Sequence, residues 1–161
     1  MRQIVVVLIA LMSVVSCSTR KDRAVNRAYH QTTTKFNVLF NGQEAIAAGV
    51  ESEVASHQPN FWEPLPIYPF PLVDLFTLNP KENANFSRGE EKAVIAVQKH
   101  SMQFGNEQRN QQIDESYLLL GKARYYNGRY LQALDAFNYI IEQLPKTSSI
   151  NEAQLWKAKV L

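Results

Sequence analysis

The sequence predicts an all-α fold of stacked helical hairpins, preceded by a short leader and interrupted by one proline-rich segment. Three observations carry that expectation. Six of the seven prolines (Pro59, Pro64, Pro66, Pro69, Pro71 and Pro80) lie in one window and the seventh is Pro145, which leaves the rest of the chain free to be helical. Outside that window, apolar residues recur at helical spacing. Finally, the run IDESYLLLGKARYYNGRYLQALDAFNYIIEQLP places small residues where two helices would cross.

The first sixteen residues, MRQIVVVLIALMSVVS, combine Arg2, an apolar run from Ile4 to about Val15 and the small residue Ser16. That is the layout of a secretory signal peptide, too short for a comfortable membrane span and followed by the polar run Ser18 to Arg23. Residues 1–16 are therefore expected to be a removed leader, and residues 17–23 a tether. Cys17 is the only cysteine, so it has no partner for an internal disulfide or a thiolate zinc site. Val14, Val15, Ser16 and Cys17 resemble a bacterial lipobox, which implies that Cys17 is lipidated and becomes the mature N-terminus; the alternative is an ordinary signal peptide or a buried cysteine. At about 0.8 kcal/mol per buried methylene, the several acyl chains of a bacterial lipoprotein hold it to a bilayer permanently. No later apolar run is long enough to span a membrane. The net charge of +2 falls to +1 without Arg2, and the two signs are interspersed, so nucleic acid is not an expected partner.

Residues 24–58 are expected to form a helical hairpin: a helix over 24–40, a stop at Asn41-Gly42, and an antiparallel helix over 43–56 despite Gly49. Residues 59–86 cannot sustain a helix, because each interior proline removes a donor and biases the residue before it away from helical geometry. An extended strap is expected there, laying Phe61, Trp62, Tyr68 and Phe70 on neighbouring helices. Residues 87–161 form the third region. Ser87 offers an N-cap with Glu90 completing a capping box, the helix runs from Arg88 to about Phe104 through Val94 and Val97, and Gly105-Asn106 closes it.

Two further helices are expected over Asp114 to Tyr126 and Tyr130 to Leu144, joined at Asn127-Gly128-Arg129 and stopped by Pro145. Gly121 and Ala123 can face Ala133 while Tyr117, Leu120, Tyr130, Leu134 and Phe137 fill the space around them. Tyr117, Leu120-Gly121, Gly128, Tyr130, Ala133, Phe137 and Pro145 stand in the register of a tetratricopeptide repeat, a helix-turn-helix unit of about 34 residues. Arg124 departs from that pattern by occupying the usual aromatic slot. Such a unit buries its faces only between neighbours. The helix from Arg88 would be the second half of a degenerate preceding unit, and NEAQLWKAKVL would begin a following one, with Leu155, Trp156 and Ala158 awaiting a partner helix beyond Leu161. The chain is accordingly expected to be a fragment of a longer α-solenoid, truncated in its last repeat.

Residues for catalysis are missing from the pattern. His30, His57 and His100 are scattered, with no HxxxH or HExxH spacing, no GxSxG turn and no GxxxxGK loop, so no catalytic role, cofactor or metal site is expected. Glu51, Glu53 and the pair Glu90-Glu91 read as solvated helix faces. The tetratricopeptide resemblance implies a concave protein-binding groove built from the first helix of each unit: Glu115, Leu118, Lys122, Tyr125 and Tyr126, continuing through Glu152, Leu155 and Lys159. The two tyrosines are either binding anchors or packing against adjacent repeats.

AYHQTTTKFNVLFNGQEAIAAG, together with the lipobox and IDESYLLLGKARYYNGRYLQALDAFNYI, resembles the N-terminal region of the SprE/PorW family, tetratricopeptide lipoproteins of the Bacteroidetes type IX secretion and gliding motility system. The resemblance implies an outer-membrane, periplasm-facing scaffold that binds protein components of the secretion complex. The residues after Cys17, Ser-Thr-Arg-Lys-Asp, do not resemble the acidic surface-export signal of such bacteria. Two other readings remain: a SusD-like glycan-binding lipoprotein using Trp62 and Tyr68, and an enzyme whose catalytic part lies beyond Leu161.

Overall fold

The computed structural model describes residues 18–62, 64 and 83–161. Cys17 and most of the proline-rich strap, Tyr68 and Phe70 included, lie outside the described residues. What is described is almost wholly helical, as the all-α expectation requires: α1 (Ala24–Thr33), a π-helical segment (Thr34–Leu39), α2 (Phe40–Ser56), α3 (Ala84–His100), α4 (Ile113–Tyr126), α5 (Tyr130–Gln143) and α6 (Ile150–Val160). One two-stranded antiparallel hairpin, β1 (Gln103–Phe104) and β2 (Glu107–Gln108), joins α3 to α4.

The expected hairpin over residues 24–58 is corrected: α1, the π segment and α2 are one continuous helix. Backbone angles stay right-handed helical across both joins, at Thr34 and at Phe40. Gly42, read as a stop, keeps helical geometry, since the positive-φ glycines among the described residues are Gly105 and Gly128. Its lack of a side chain serves close approach instead. A Cβ on Gly42 would meet Leu119 Cδ2 at 2.5 Å, and one on Gly89 would meet Ile46 Cγ1 at 2.9 Å, so α2 and α3 cross glycine against glycine. The π segment has a local cause: the Thr34 hydroxyl donates to the His30 carbonyl at 2.6 Å, competing for an acceptor of the α-helical ladder. The widened turn keeps Asn26, His30, Thr34 and Val38, each four residues after the last, on the buried side.

The helix expected over Arg88–Phe104 starts earlier and stops earlier. Asn83, rather than Ser87, is the N-cap: its side-chain oxygen accepts from the Asn85 N–H at 2.9 Å while its amide donates to Glu53 Oε1 at 2.7 Å. The earlier start places Phe86 on the helix, fully buried, with its ring stacked on Tyr126 at 5.0 Å. At the other end, Asn110 donates to the His100 carbonyl at 2.8 Å and the chain turns extended at Ser101. Gly105, at φ +59, supplies the left-handed residue of the β1–β2 turn and not a helix cap. The buried row on α3 is Phe86, Gly89, Ala93, Ala96 and His100, with Val94 only partly buried against the core.

α4 and α5 follow the expected helices to within a residue or so, with Gly128 at φ +72 in the tight turn between them. Gly121 faces the Phe137 ring rather than Ala133: a Cβ added to it would lie 2.3 Å from Cε1 of that ring. Two apolar clusters result. Leu39, Ile46, Phe86, Ala93, Leu119, Leu120, Ala123 and Ala136 fill the space between α2, α3, α4 and α5, and Leu118, Ala133, Phe137, Ile140 and Ala153 bind α4, α5 and α6 together. Each fully buried phenylalanine contributes about 1.5–3 kcal/mol of transfer free energy, so Phe86 and Phe137 anchor one cluster each.

Candidate functional site

Three helices, α2, α4 and α6, converge on one groove of about 500 Å³. Gln43, Ile46 and Ala47 line it from α2; Glu115, Leu118, Leu119 and Lys122 from α4; and Glu152, preceded by Ser148 and Ser149, from the start of α6. Ser149 fixes the entrance of α6 by donating to Asp114 Oδ2 at 2.9 Å, a contact inside the protein. Lys122 Nζ crosses the groove wall to Glu152 Oε1 at 2.5 Å. A charge pair over a floor of leucine and isoleucine offers polar handles and apolar contact together, which suits a polypeptide segment more than a small reacting molecule.

Of the residues named for the groove from sequence, Glu115, Leu118, Lys122 and Glu152 line it together. The others stand elsewhere. Tyr126 stacks on Phe86, and Tyr125 meets Trp156 edge-on at 5.4 Å, so both tyrosines pack within the chain. Lys159 Nζ lies 4.4 Å from the Trp156 ring centroid, and Leu155 is exposed on the outer side of α6. Trp156 is the keystone of this aromatic cluster, stacked also on Phe137.

Two constellations were not legible in the sequence. Glu90, read as a solvated face, is mostly buried and receives both Arg124 Nε at 3.0 Å and Arg129. Arg124 also donates to the Gln132 carbonyl at 3.1 Å. The arginine that departs from the repeat pattern therefore ties α3 to α4 and α5 by charge where the pattern would use a ring. The second constellation joins His30 and His100, separated by 70 positions, with Nδ1 to Nδ1 at 3.0 Å in a buried contact. Asn110 bridges the same seam, donating to Thr34 Oγ1 at 3.1 Å. Burial holds both imidazoles below their ordinary pKa, and the neighbouring His30 and Lys99 push His100 down further. The only signals for these pairs were residue types, since their spacing along the chain carries no pattern.

A larger cleft of about 1020 Å³ lies between the β1–β2 hairpin, the start of α4 and the end of α5, lined chiefly by carboxamides and carboxylates, with Tyr139 at one side. Tyr139 stacks on Tyr117 at 3.9 Å, and burial followed by that contact pushes the Tyr117 hydroxyl up to about 12. Among the described residues, no three metal-ligating side chains converge, and no helix is long and apolar enough to cross a membrane. No protein-family model matches this chain, and no curated protein is significantly similar to it.

Proposed function

We propose that this protein is a non-catalytic, tetratricopeptide-type scaffold of the type IX secretion and gliding motility machinery, lipid-anchored at Cys17 to the periplasmic face of the outer membrane. Its role is to bind other protein components of that complex through the groove lined by α2, α4 and α6. The observation that carries the binding role is the convergence of Ile46, Leu118, Lys122 and Glu152 from three separate helices on one concave surface. The lipobox-like Val14-Val15-Ser16-Cys17 and the family resemblance of the sequence support the location and the system.

Deletion of the gene, followed by assay of the exported proteins, tests this reading. The expected result is retention of type IX substrates inside the cell, restored by the wild-type chain and not by Cys17→Ala. Within the complex, Lys122→Glu should weaken capture of the partner proteins while leaving helicity unchanged. The alternative is a SusD-like glycan-binding lipoprotein, favoured by one observation: Trp62 is 97% exposed. Intact secretion with lost glycan uptake in the deletion strain would establish that alternative and overturn the first.

A further inference from the structure

The outward face of the first long helix carries a row of large apolar side chains that the described helices leave exposed. Val25, Tyr29, Phe36 and Phe40 are each about half exposed or more, with Phe36 at 70%. Exposed Thr32 falls between them, and the spacings of four, three, four and four residues put all five on one side of a helix. The opposite side is the buried one, through Asn26, His30, Thr34 and Val38. Two exposed phenylalanines one turn apart on a surface helix call for an occupant.

The charges around this row say what the occupant is. From residue 18 to residue 43 the sequence holds five basic residues, Arg20, Lys21, Arg23, Arg27 and Lys35, and a single carboxylate, Asp22. Asp22 is engaged by Arg27 at 3.2 Å and by Arg109 at 3.3 Å, and the next carboxylate, exposed Glu44, stands one turn past Phe40, so the positive excess lies along the row from its N-terminal end to Lys35. Arg20, Lys21, Arg23 and Lys35 are all exposed. Lys35 lays its ammonium 5.5 Å from the Phe36 ring centroid, with its stem along the apolar stripe and its charge at the edge. A one-side-chain-wide aromatic stripe bordered by unneutralised cations matches a surface that is apolar within and anionic at its boundary.

We propose that the Val25–Phe40 face docks on an anionic lipid surface, with Tyr29, Phe36 and Phe40 entering the headgroup layer and Arg20, Lys21, Arg23 and Lys35 meeting lipid phosphates. The helix then lies along the bilayer, and the α2–α4–α6 groove is held at a set height above it. This contact is independent of acylation at Cys17 and of the secretion role, and its test does not use either.

In the full chain carrying Cys17→Ser, Phe36→Cys is labelled with an environment-sensitive fluorophore, with Glu142→Cys on exposed α5 as the reference position. The apolar leader is present in both labelled proteins and carries no dependence on lipid charge, which the comparison of anionic with phosphatidylcholine vesicles reads. The label at position 36 is expected to shift to the blue with vesicles of phosphatidylethanolamine and phosphatidylglycerol, much less with phosphatidylcholine, and the label at 142 not at all. Replacing Arg20, Lys21 and Arg23 by Gln together should weaken vesicle affinity roughly a hundredfold, each cation being worth about fivefold at an anionic surface, and salt should weaken the binding of the parent. Four results overturn the proposal: no shift at position 36 with either vesicle; equal shifts with both vesicles; a shift without vesicles that grows with protein concentration, which marks a face between copies; and a label already blue-shifted in dilute protein, which marks coverage by the chain itself.

Discussion

Two of the helix crossings among the described residues, α2 with α3 and α4 with α5, use the same device with different surroundings. In the first, α2 presents Gly49 to the Phe86 ring of α3, where an added Cβ would sit 2.4 Å from Cε1; in the second, α4 presents Gly121 to Phe137 of α5 at 2.3 Å. A glycine opposite a fully buried ring lets two helices approach while the ring fills the space that the missing side chain leaves. What differs is the border. The α4–α5 crossing is closed by the Gly128 turn and backed by the Trp156 aromatic cluster, whereas the N-terminal crossing is bordered by polar seams at both ends. At one end stand His30, His100, Thr34 and Asn110; at the other, Asn83 contacts Glu53 and Asn127. The lesson is that a short local connection lets one pair rely on apolar packing, while a pair joined through a long segment is aligned by side-chain hydrogen bonds that specify register.

The largest expected effect tests the shared device. Phe137→Ala and Phe86→Ala should each cost about 3–5 kcal/mol in urea unfolding, because each leaves a ring-sized cavity in one cluster. If the two pairs are as alike at their crossings as the geometry says, the two losses will agree within about 1 kcal/mol.

Glycine-to-alanine changes sharpen the comparison. Gly121→Ala and Gly49→Ala each drive a methyl into a rigid buried ring, and overpacking of this kind outweighs the helix-propensity gain of about 1 kcal/mol, for a net loss of about 1–2 kcal/mol. Gly42→Ala meets first the movable end of Leu119, so its net effect on the unfolding midpoint should be near zero. A Gly42→Ala loss as large as that of Gly121→Ala would show the backbone crossing at Gly89 to be as unyielding as a ring.

Smaller again is the charge clamp that joins the two pairs. Glu90→Gln should cost about 1 kcal/mol, since the arginines it holds are partly exposed and solvent screens them. A double-mutant cycle with Arg124→Met should return a coupling of the same order, shrinking in high salt.

The smallest effect is pH dependence confined to the N-terminal pair. The buried His30–His100 contact favours neutral rings, so its contribution to stability is complete above the ordinary imidazole value of 6.5 and is lost as pH falls below it toward the lowered folded-state values. The urea midpoint should therefore fall with acidification below that point, and His100→Asn should flatten the fall. Hydrogen exchange should locate the loosening at α1 and the end of α3 rather than at α5.

Where sequence patterns are local, they read well. The α4 and α5 helices and the Gly128 turn follow from apolar spacing, one residue that must take positive φ, and Pro145, all within a stretch short enough for periodicity to report. Four of the eight groove residues named from the repeat pattern converge, because Glu115, Leu118 and Lys122 are spaced to share one face of α4 and Glu152 stands in the first turn of α6 beside them. The tyrosines could be placed only with Trp156 and Phe86 in view. Gly42 shows the limit most plainly: Asn-Gly ends helices and glycine also lets helices touch, and the letters do not distinguish the two uses. The start of α3 shows the same limit: Ser87 was the expected cap, but Asn83 serves, and the earlier start carries Phe86 into the core.

By itself the sequence determined the helical class, the bounds and turn of the α4–α5 pair, and the basic, carboxylate-poor character of residues 18–43. Tertiary structure alone decided that residues 24–56 run as one helix, that Glu90 is a buried clamp for Arg124 and Arg129, and that His30 meets His100. The physical reason is range: helix propensity and turn chemistry act over a few neighbouring residues, whereas burial and pairing depend on partners 34 and 70 positions away that only packing brings within contact.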